Sequence, residues 1–188
     1  MWAASSRGRG IVAGRSTQSL GSNRIAVPGE KIWIGPNFFE RGVFVLGESW
    51  YGEYTDDLVT DDGWIRAYLE GRVVDRMYTR MANACELTRR QFWESVMFTN
   101  FVQCVGTRRE HRPSSSMYRA AQSRLGALLE AHRPRGVWVL GIGQAEYSVP
   151  TIEAAGIAAE VTPHPTSYGL SNAALGASWK RLNERIAA

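Results

Sequence analysis

Three short stretches carry the side chains able to do chemistry, and each follows a strand-like run. Residues 43–46, Val-Phe-Val-Leu, give way to Gly47, Glu48, Ser49, Tyr51 and Glu53. Residues 96–98 lead into Thr99, Asn100 and Gln103, and residues 158–161 deliver Thr162, Pro163, His164, Pro165 and Thr166. The Asn100 amide can donate to one group of a planar ligand while accepting from another. His164, stiffened by a proline on either side, is the best donor to an oxygen that becomes negative. Glu48 and Ser49 offer a carboxylate and a hydroxyl for water activation or nucleophilic attack. His111 and His132 read as loop and helix-surface residues.

Strands buried on both faces look like these runs, and ligands of open α/β sheets sit outside the carboxyl ends of such strands. A fourth run, residues 136–140, ends at Gly141-Ile142-Gly143. Between the strands, Ile65, Leu69, Val73, Met77 and Met81 recur every four residues, with Gly71 able to split the helix they predict. A short helix is predicted over residues 88–94. A longer one uses Met117, Ala121, Leu125, Leu128, Leu129 and His132 behind N-cap serines 114–116. Helices are also predicted over 147–155 and 173–188, and Ile32-Trp33-Ile34 reads as an edge segment. Alternating strands and helices predict an α/β fold, a three-layer α/β/α sandwich around a mainly parallel four-stranded sheet.

The 188 residues, 44% of them hydrophobic, suit one core-forming domain. We assign it to residues 30–188, preceded by a flexible basic arm over 1–29. Arg7, Arg9, Arg15 and Arg24 are the only charges before Glu30, so the arm carries the whole net charge of +4 and the domain is formally neutral. The basic balance alone therefore says little about nucleic acid. The acids at 48, 53, 56, 57, 61 and 62 read as a solvated loop whose last members favour the next helix's N-terminus. Cys85 and Cys104 form neither a disulfide framework nor a thiolate metal site within one chain, and each reads as a small buried hydrophobe. No apolar run reaches the roughly eighteen residues of a membrane span, and no signal segment is evident, so a cytoplasmic protein without a membrane partner is expected.

Gly47-Glu48-Ser49-Trp50-Tyr51, the strand end Phe98-Thr99-Asn100-Phe101-Val102-Gln103-Cys104 and the late His164-Pro165-Thr166-Ser167 together resemble the motifs of the uracil-DNA glycosylase superfamily. Val137-Trp138-Val139-Leu140-Gly141 is similar to its Gly-ending strand, and order and spacing agree from about Gly42 onward. The resemblance implies a base-excising hydrolase for DNA repair that flips a deaminated base out of single- or double-stranded DNA and cuts its bond to the sugar. It implies Asn100 as the base reader, with Gly47 and Tyr51 lining the base. His164 would be the catalytic donor, with Thr166 or Ser167 on a phosphate and Tyr168 or Leu170 in the gap left in the stack. Ser49 stands where the most studied branch has Asp, so water activation falls to Glu48 or Ser49, with Glu53 and Asp56 in reach. The paired cysteines of the iron–sulfur branches are absent, so neither a cluster nor any other metal or cofactor is expected.

Two other readings stay open. Ser49 and His164 are similar to the nucleophile and base of esterases with a Gly-Asp-Ser block, although Val161 stands where those carry an acid. A non-catalytic domain of the same fold, binding nucleic acid or a nucleobase compound, is favoured by Ser49 and the acidic loop. The basic cluster at Arg108, Arg109 and Arg112 favours DNA. A two-fold dimer is also left open.

Overall fold

Apolar runs bounded by glycine and polar residues become the strands of the core. The computed structural model describes residues 24–26, 32–51, 60–106 and 112–188, of which 24–26, 51 and 104–106 are described by backbone alone. In chain order the elements are β1 (Arg24–Ala26), β2 (Trp33–Ile34), α1 (Phe38–Arg41), β3 (Val43–Gly47), β4 (Trp50–Tyr51), α2 (Asp61–Leu69), α3 (Arg76–Ala84) and α4 (Arg89–Glu94). They continue with β5 (Val96–Asn100), β6 (Cys104–Gly106), α5 (Ser115–His132), β7 (Gly136–Leu140), α6 (Ile142–Ala154), β8 (Ala158–Thr162) and α7 (Asn172–Ala187).

The main sheet has the order β2-β5-β3-β7-β8. β5, β3, β7 and β8 are mutually parallel, and β2 adds an antiparallel edge through Trp33↔Phe98 and Ile34↔Met97. The sheet thus has five strands, not the four expected. Ile32-Trp33-Ile34 is long enough for only two ladder positions, which is why it reads ambiguously in sequence.

Side chains alternate across a strand, and here both faces are covered. Val43, Val45, Val96, Phe98, Trp138 and Leu140 pack against α2, α3, α4 and α7. Phe44, Leu46, Met97, Val137 and Val139 pack against α1, α5 and α6. Two apolar layers either side of one sheet make a three-layer α/β/α sandwich.

Helix ends follow local chemistry. Gly71, with a φ of 77°, lies between α2 and α3, and Asp75 then caps α3 by accepting from the Tyr78 N–H at 3.0 Å. Thr88 and Gln91 form a capping box on α4. α6 starts at Ile142, five residues before the helix expected from sequence. Its buried stripe is Gln144, Ser148 and Ile152, so the apolar periodicity is missing from its first two turns.

A second sheet, in the order β1-β6-β4, continues two of the motif strands. β4 follows β3, β6 follows β5, and they pair in parallel through Trp50↔Val105 and Tyr51↔Gly106. β1 closes it antiparallel, through Arg24↔Gly106. Residues 24–26 therefore belong to a sheet, although the sequence assigns them to a flexible arm. The remaining arm arginines, Glu53, Asp56 and Asp57, and Arg108, Arg109 and His111 lie outside the described residues. No described helix is long and apolar enough to cross a membrane.

Candidate functional site

The parallel strands bring Gly47, Asn100, Leu140 and Thr162 to one edge of the sheet. The chain runs from β3 outward to β5 and then back past β3 to β7 and β8. The strand succession therefore reverses between β3 and β7, where ligand crevices of such sheets open. Neighbouring strands lie about 4.8 Å apart, so the ends of β5 and β8 are separated by about 14 Å.

At the β5 end, Asn100 is buried and its Nδ2 donates to Asp61 Oδ1 at 2.9 Å. Asp61 Oδ2 accepts from Thr99 Oγ1 at 2.5 Å and from the Asn100 N–H at 3.2 Å. Gln103 Nε2 approaches the same oxygen at 3.4 Å and donates to Thr99 Oγ1 and the Asn100 carbonyl at 2.9 and 2.7 Å. Arg124 from α5 donates to that carbonyl and to Thr99 Oγ1, at 3.1 and 3.0 Å. Gly47, paired with Asn100 across the ladder, has no room for a side chain. A Cβ there would lie 2.3 Å from Asn100 Oδ1.

Asp61 is 1% exposed. Burial pushes its carboxyl up to about 6, against the pull of Thr99, the Asn100 N–H, Gln103 and Arg124. The sequence reads Asp61 as a solvated acid favouring the N-terminus of the next helix; the structure does place it in the first turn of α2, behind the Thr60 cap, but buries it. Its signal was its spacing: Asp61, Ile65 and Tyr68 share the buried face of one helix. Asp62, next to it, does behave as a surface acid and pairs with Arg66 at 2.9 Å.

At the β3 end, Glu48 is 5% exposed and accepts from the Tyr118 hydroxyl at 2.6 Å. Tyr118 is held between Phe101 and Tyr147, stacked at centroid distances of 6.1 and 5.0 Å. The first turn of α6 passes directly over this carboxylate. A Cβ on Gly143 would lie 3.3 Å from Glu48 Oε1 and 3.5 Å from Arg112 Nη1. Gln144, fully buried beside it, donates from Nε2 to the carbonyls of Leu46 and Leu140 at 3.1 and 2.8 Å. That amide ties β3 to β7 beyond the last ladder pair, Leu46↔Val139. Ser49 follows Glu48 and is half-buried.

At the β8 end, His164 Nδ1 accepts from the Thr166 N–H at 3.3 Å and lies 2.9 Å from Thr166 Oγ1. A backbone N–H can only donate, so Nδ1 is the acceptor and the neutral ring carries its proton on Nε2. The Ser167 N–H turns back to the His164 carbonyl at 2.7 Å. Arg80 of α3 grips the loop from beneath. Its guanidinium donates to the Pro165 and Leu170 carbonyls and, at 2.8 Å, to Asn172 Oδ1. Tyr168 projects fully into solvent.

The structure thus brings Gly47, Glu48, Ser49, Asn100, His164, Thr166, Ser167 and Tyr168 to one rim. Tyr51 is there by its backbone, with its side chain outside the described atoms. Two expected roles change in detail. The Asn100 amide already spends one donor on Asp61, and the Thr166 hydroxyl is engaged by the imidazole. Asp61, Arg80, Tyr118, Arg124 and Gln144 were not foreseen as part of the site. Cys85 packs against the core and burial pushes its thiol up, as a structural cysteine should behave. Among the described residues no group of three or more His, Cys, Asp or Glu could hold a metal ion. No family model and no curated protein sequence matches this chain.

Proposed function

We propose that this protein is a base-excising hydrolase resembling uracil-DNA glycosylases, acting on a deaminated base flipped out of DNA. The observation that carries the reading is the pairing of a fixed amide, Asn100, with a donor imidazole, His164, at two strand ends flanking the crevice. Hydrolysis breaks the bond between the sugar C1′ and the base nitrogen. The bonding electrons leave with the base, water adds to C1′, and the proton released from water ends on the base. Asn100 pairs with the base edge, and His164 Nε2–H donates to the oxygen on which negative charge accumulates.

Glu48, near the first turn of α6 and bonded to Tyr118, supplies the negative charge that a cationic sugar requires, and Ser49 lies beside it. Ser167 and the exposed Tyr168 reach the DNA from the His164 loop, Tyr168 as the side chain that fills the vacated stack. Arg112, exposed near Gly143, adds phosphate attraction.

The tautomer of His164 counts against the esterase reading. A Ser-His-acid triad needs Nδ1–H to donate to the acid and Nε2 to take the serine proton. With the Thr166 N–H on Nδ1 the ring is protonated the other way round.

The test is free-base release from labelled single-stranded and duplex DNA containing uracil, hypoxanthine or xanthine. Release from at least one supports the enzyme. Salt-sensitive binding with no release from any of them would replace it with the binding-only reading, which the serine at position 49 favours.

A further inference from the structure

We infer that Asp61 is a positioning residue that fixes the direction of the Asn100 side-chain amide, and with it the donor–acceptor edge that Asn100 offers a ligand. The consequence for base choice rests on the glycosylase reading. The amide direction itself does not.

The oxygen and nitrogen of a side-chain amide are nearly the same size, so partners decide which way the group points. Thr99 Oγ1 accepts from both Gln103 and Arg124, so its own hydrogen goes to Asp61 Oδ2. That oxygen also receives the Asn100 N–H, with Gln103 Nε2 close by. Donors fill one oxygen, and the other, Oδ1, faces the Asn100 amide at 2.9 Å. An ionised carboxylate accepts only, so the nitrogen of Asn100 must turn toward it. One amide hydrogen is used there. The second, together with Asn100 Oδ1 above Gly47, forms an edge with a donor beside an acceptor.

That edge matches a lactam, a ring N–H beside a carbonyl, as in uracil, hypoxanthine and xanthine. It opposes the amidine edge of cytosine or adenine, where a ring nitrogen accepts beside an amine. Thymine and guanine share the lactam edge, so Asp61 selects the edge type, and pocket size must do the rest.

Protonation reverses the arrangement. With donors occupying Oδ2, an added proton goes to Oδ1, which then donates, and the Asn100 oxygen must turn to meet it. Among the described residues, the charged and titratable groups bearing on Asp61 are Arg124 from α5 and Tyr78 from α3. Burial keeps Tyr78 neutral across the working range. Asp61 titrates at about 6, so the lactam-matching edge holds above that pH and is lost below it. Asp61→Asn copies the protonated form, since its oxygen is drawn to the Thr99 hydroxyl and the Asn100 N–H and its NH2 then faces Asn100.

The experiment follows the Asn100 side-chain NH2 resonances in 15N-labelled protein, identified by their loss in Asn100→Ala, from pH 8 to pH 5. It runs beside base release from single-stranded DNA containing uracil or cytosine. We expect one exchange-protected amide proton at pH 8, a change of both resonances through about pH 6, and no such change in Asp61→Asn. The uracil-to-cytosine preference should fall about ten- to hundredfold in that variant. Resonances that ignore pH in the wild type overturn the inference, and this arm needs no Asp61 variant to fold. A titrating amide with no base released from any substrate overturns the glycosylase reading and supports the amide lock. A titrating amide with unchanged base preference in Asp61→Asn overturns the role in specificity.

Discussion

Arg80 and Pro165 stand 85 positions apart, and the guanidinium of one donates to the carbonyl of the other. The same side chain also takes the Leu170 carbonyl and Asn172 Oδ1. Three partners on one rigid fork hold the two ends of the His164 loop to α3, where a lysine would present a single charge.

Arg80→Ala should therefore loosen the loop more than it destabilises the domain. Hydrogen exchange at the Ser167 and Leu170 amides should rise, while the unfolding free energy falls by about 1.5–3 kcal/mol, the range for hydrogen bonds to a charged group. A misplacement of about 1 Å in a reacting group costs about a hundredfold in rate, and that is the expected loss of base release. Arg80→Lys should recover little of it. Unchanged exchange in residues 163–171 would remove the clamp from the account.

Asp61 makes stability depend on pH in the sense opposite to a salt-bridged acid. Its carboxyl titrates near 3.8 in the unfolded chain and at about 6 in the folded one. Between these values the folded protein keeps a proton that the unfolded chain has released. Its contribution to stability therefore falls as pH rises from about 4 to 6, by roughly 3 kcal/mol. Denaturant melts of wild type and Asp61→Asn across this range isolate the effect, because the variant lacks the fall. A wild-type minus variant difference that grows with pH would contradict the buried, desolvated carboxyl.

Gly47 is small because Asn100 lies on it. The Cβ of Gly47→Ala would meet Asn100 Oδ1 at 2.3 Å, and the amide cannot retreat without breaking its bond to Asp61. The substitution should cost about 1–3 kcal/mol, as overpacked sites do, and shift the Asn100 side-chain resonances. A neutral, spectroscopically silent Gly47→Ala would mean that the two groups are not in contact.

The fold was legible where local pattern and tertiary role agree. Val43 to Leu46 and Val137 to Leu140 are buried on both faces, and uninterrupted apolar runs announce that without help from distant residues. Ser114 and Thr88 cap the helices they precede. Asn100 was legible because it closes such a run, whereas β8 is interrupted by Glu160 and only partly buried, and His164 was legible by the prolines on either side of it.

Other parts of the site depend on partners the sequence does not place nearby. Asp61 resembles its solvated neighbour Asp62 until α2 docks on β5 and buries it 38 positions from Thr99. Arg80 lies among ordinary helix residues, and its partners are all on the far side of the chain. Gln144 opens α6 with a polar residue at a buried position, so the periodicity that finds helices starts too late. Tyr118 is not among the residues of the predicted apolar face, and its hydroxyl serves Glu48 across 70 positions.

The most direct test of the central claim is the initial rate of uracil release from single-stranded uracil-containing DNA by wild type, Asn100→Ala and His164→Ala, with folding of each checked by its melt. The wild type should release uracil, with a loss of about 10²–10³-fold on removing His164, the usual effect of one lost oxyanion donor. Asn100→Ala should be slowed as well, and its preference for uracil over cytosine reduced. Release at the wild-type rate by folded His164→Ala and Asn100→Ala would contradict the assignment of this rim as the site of base excision.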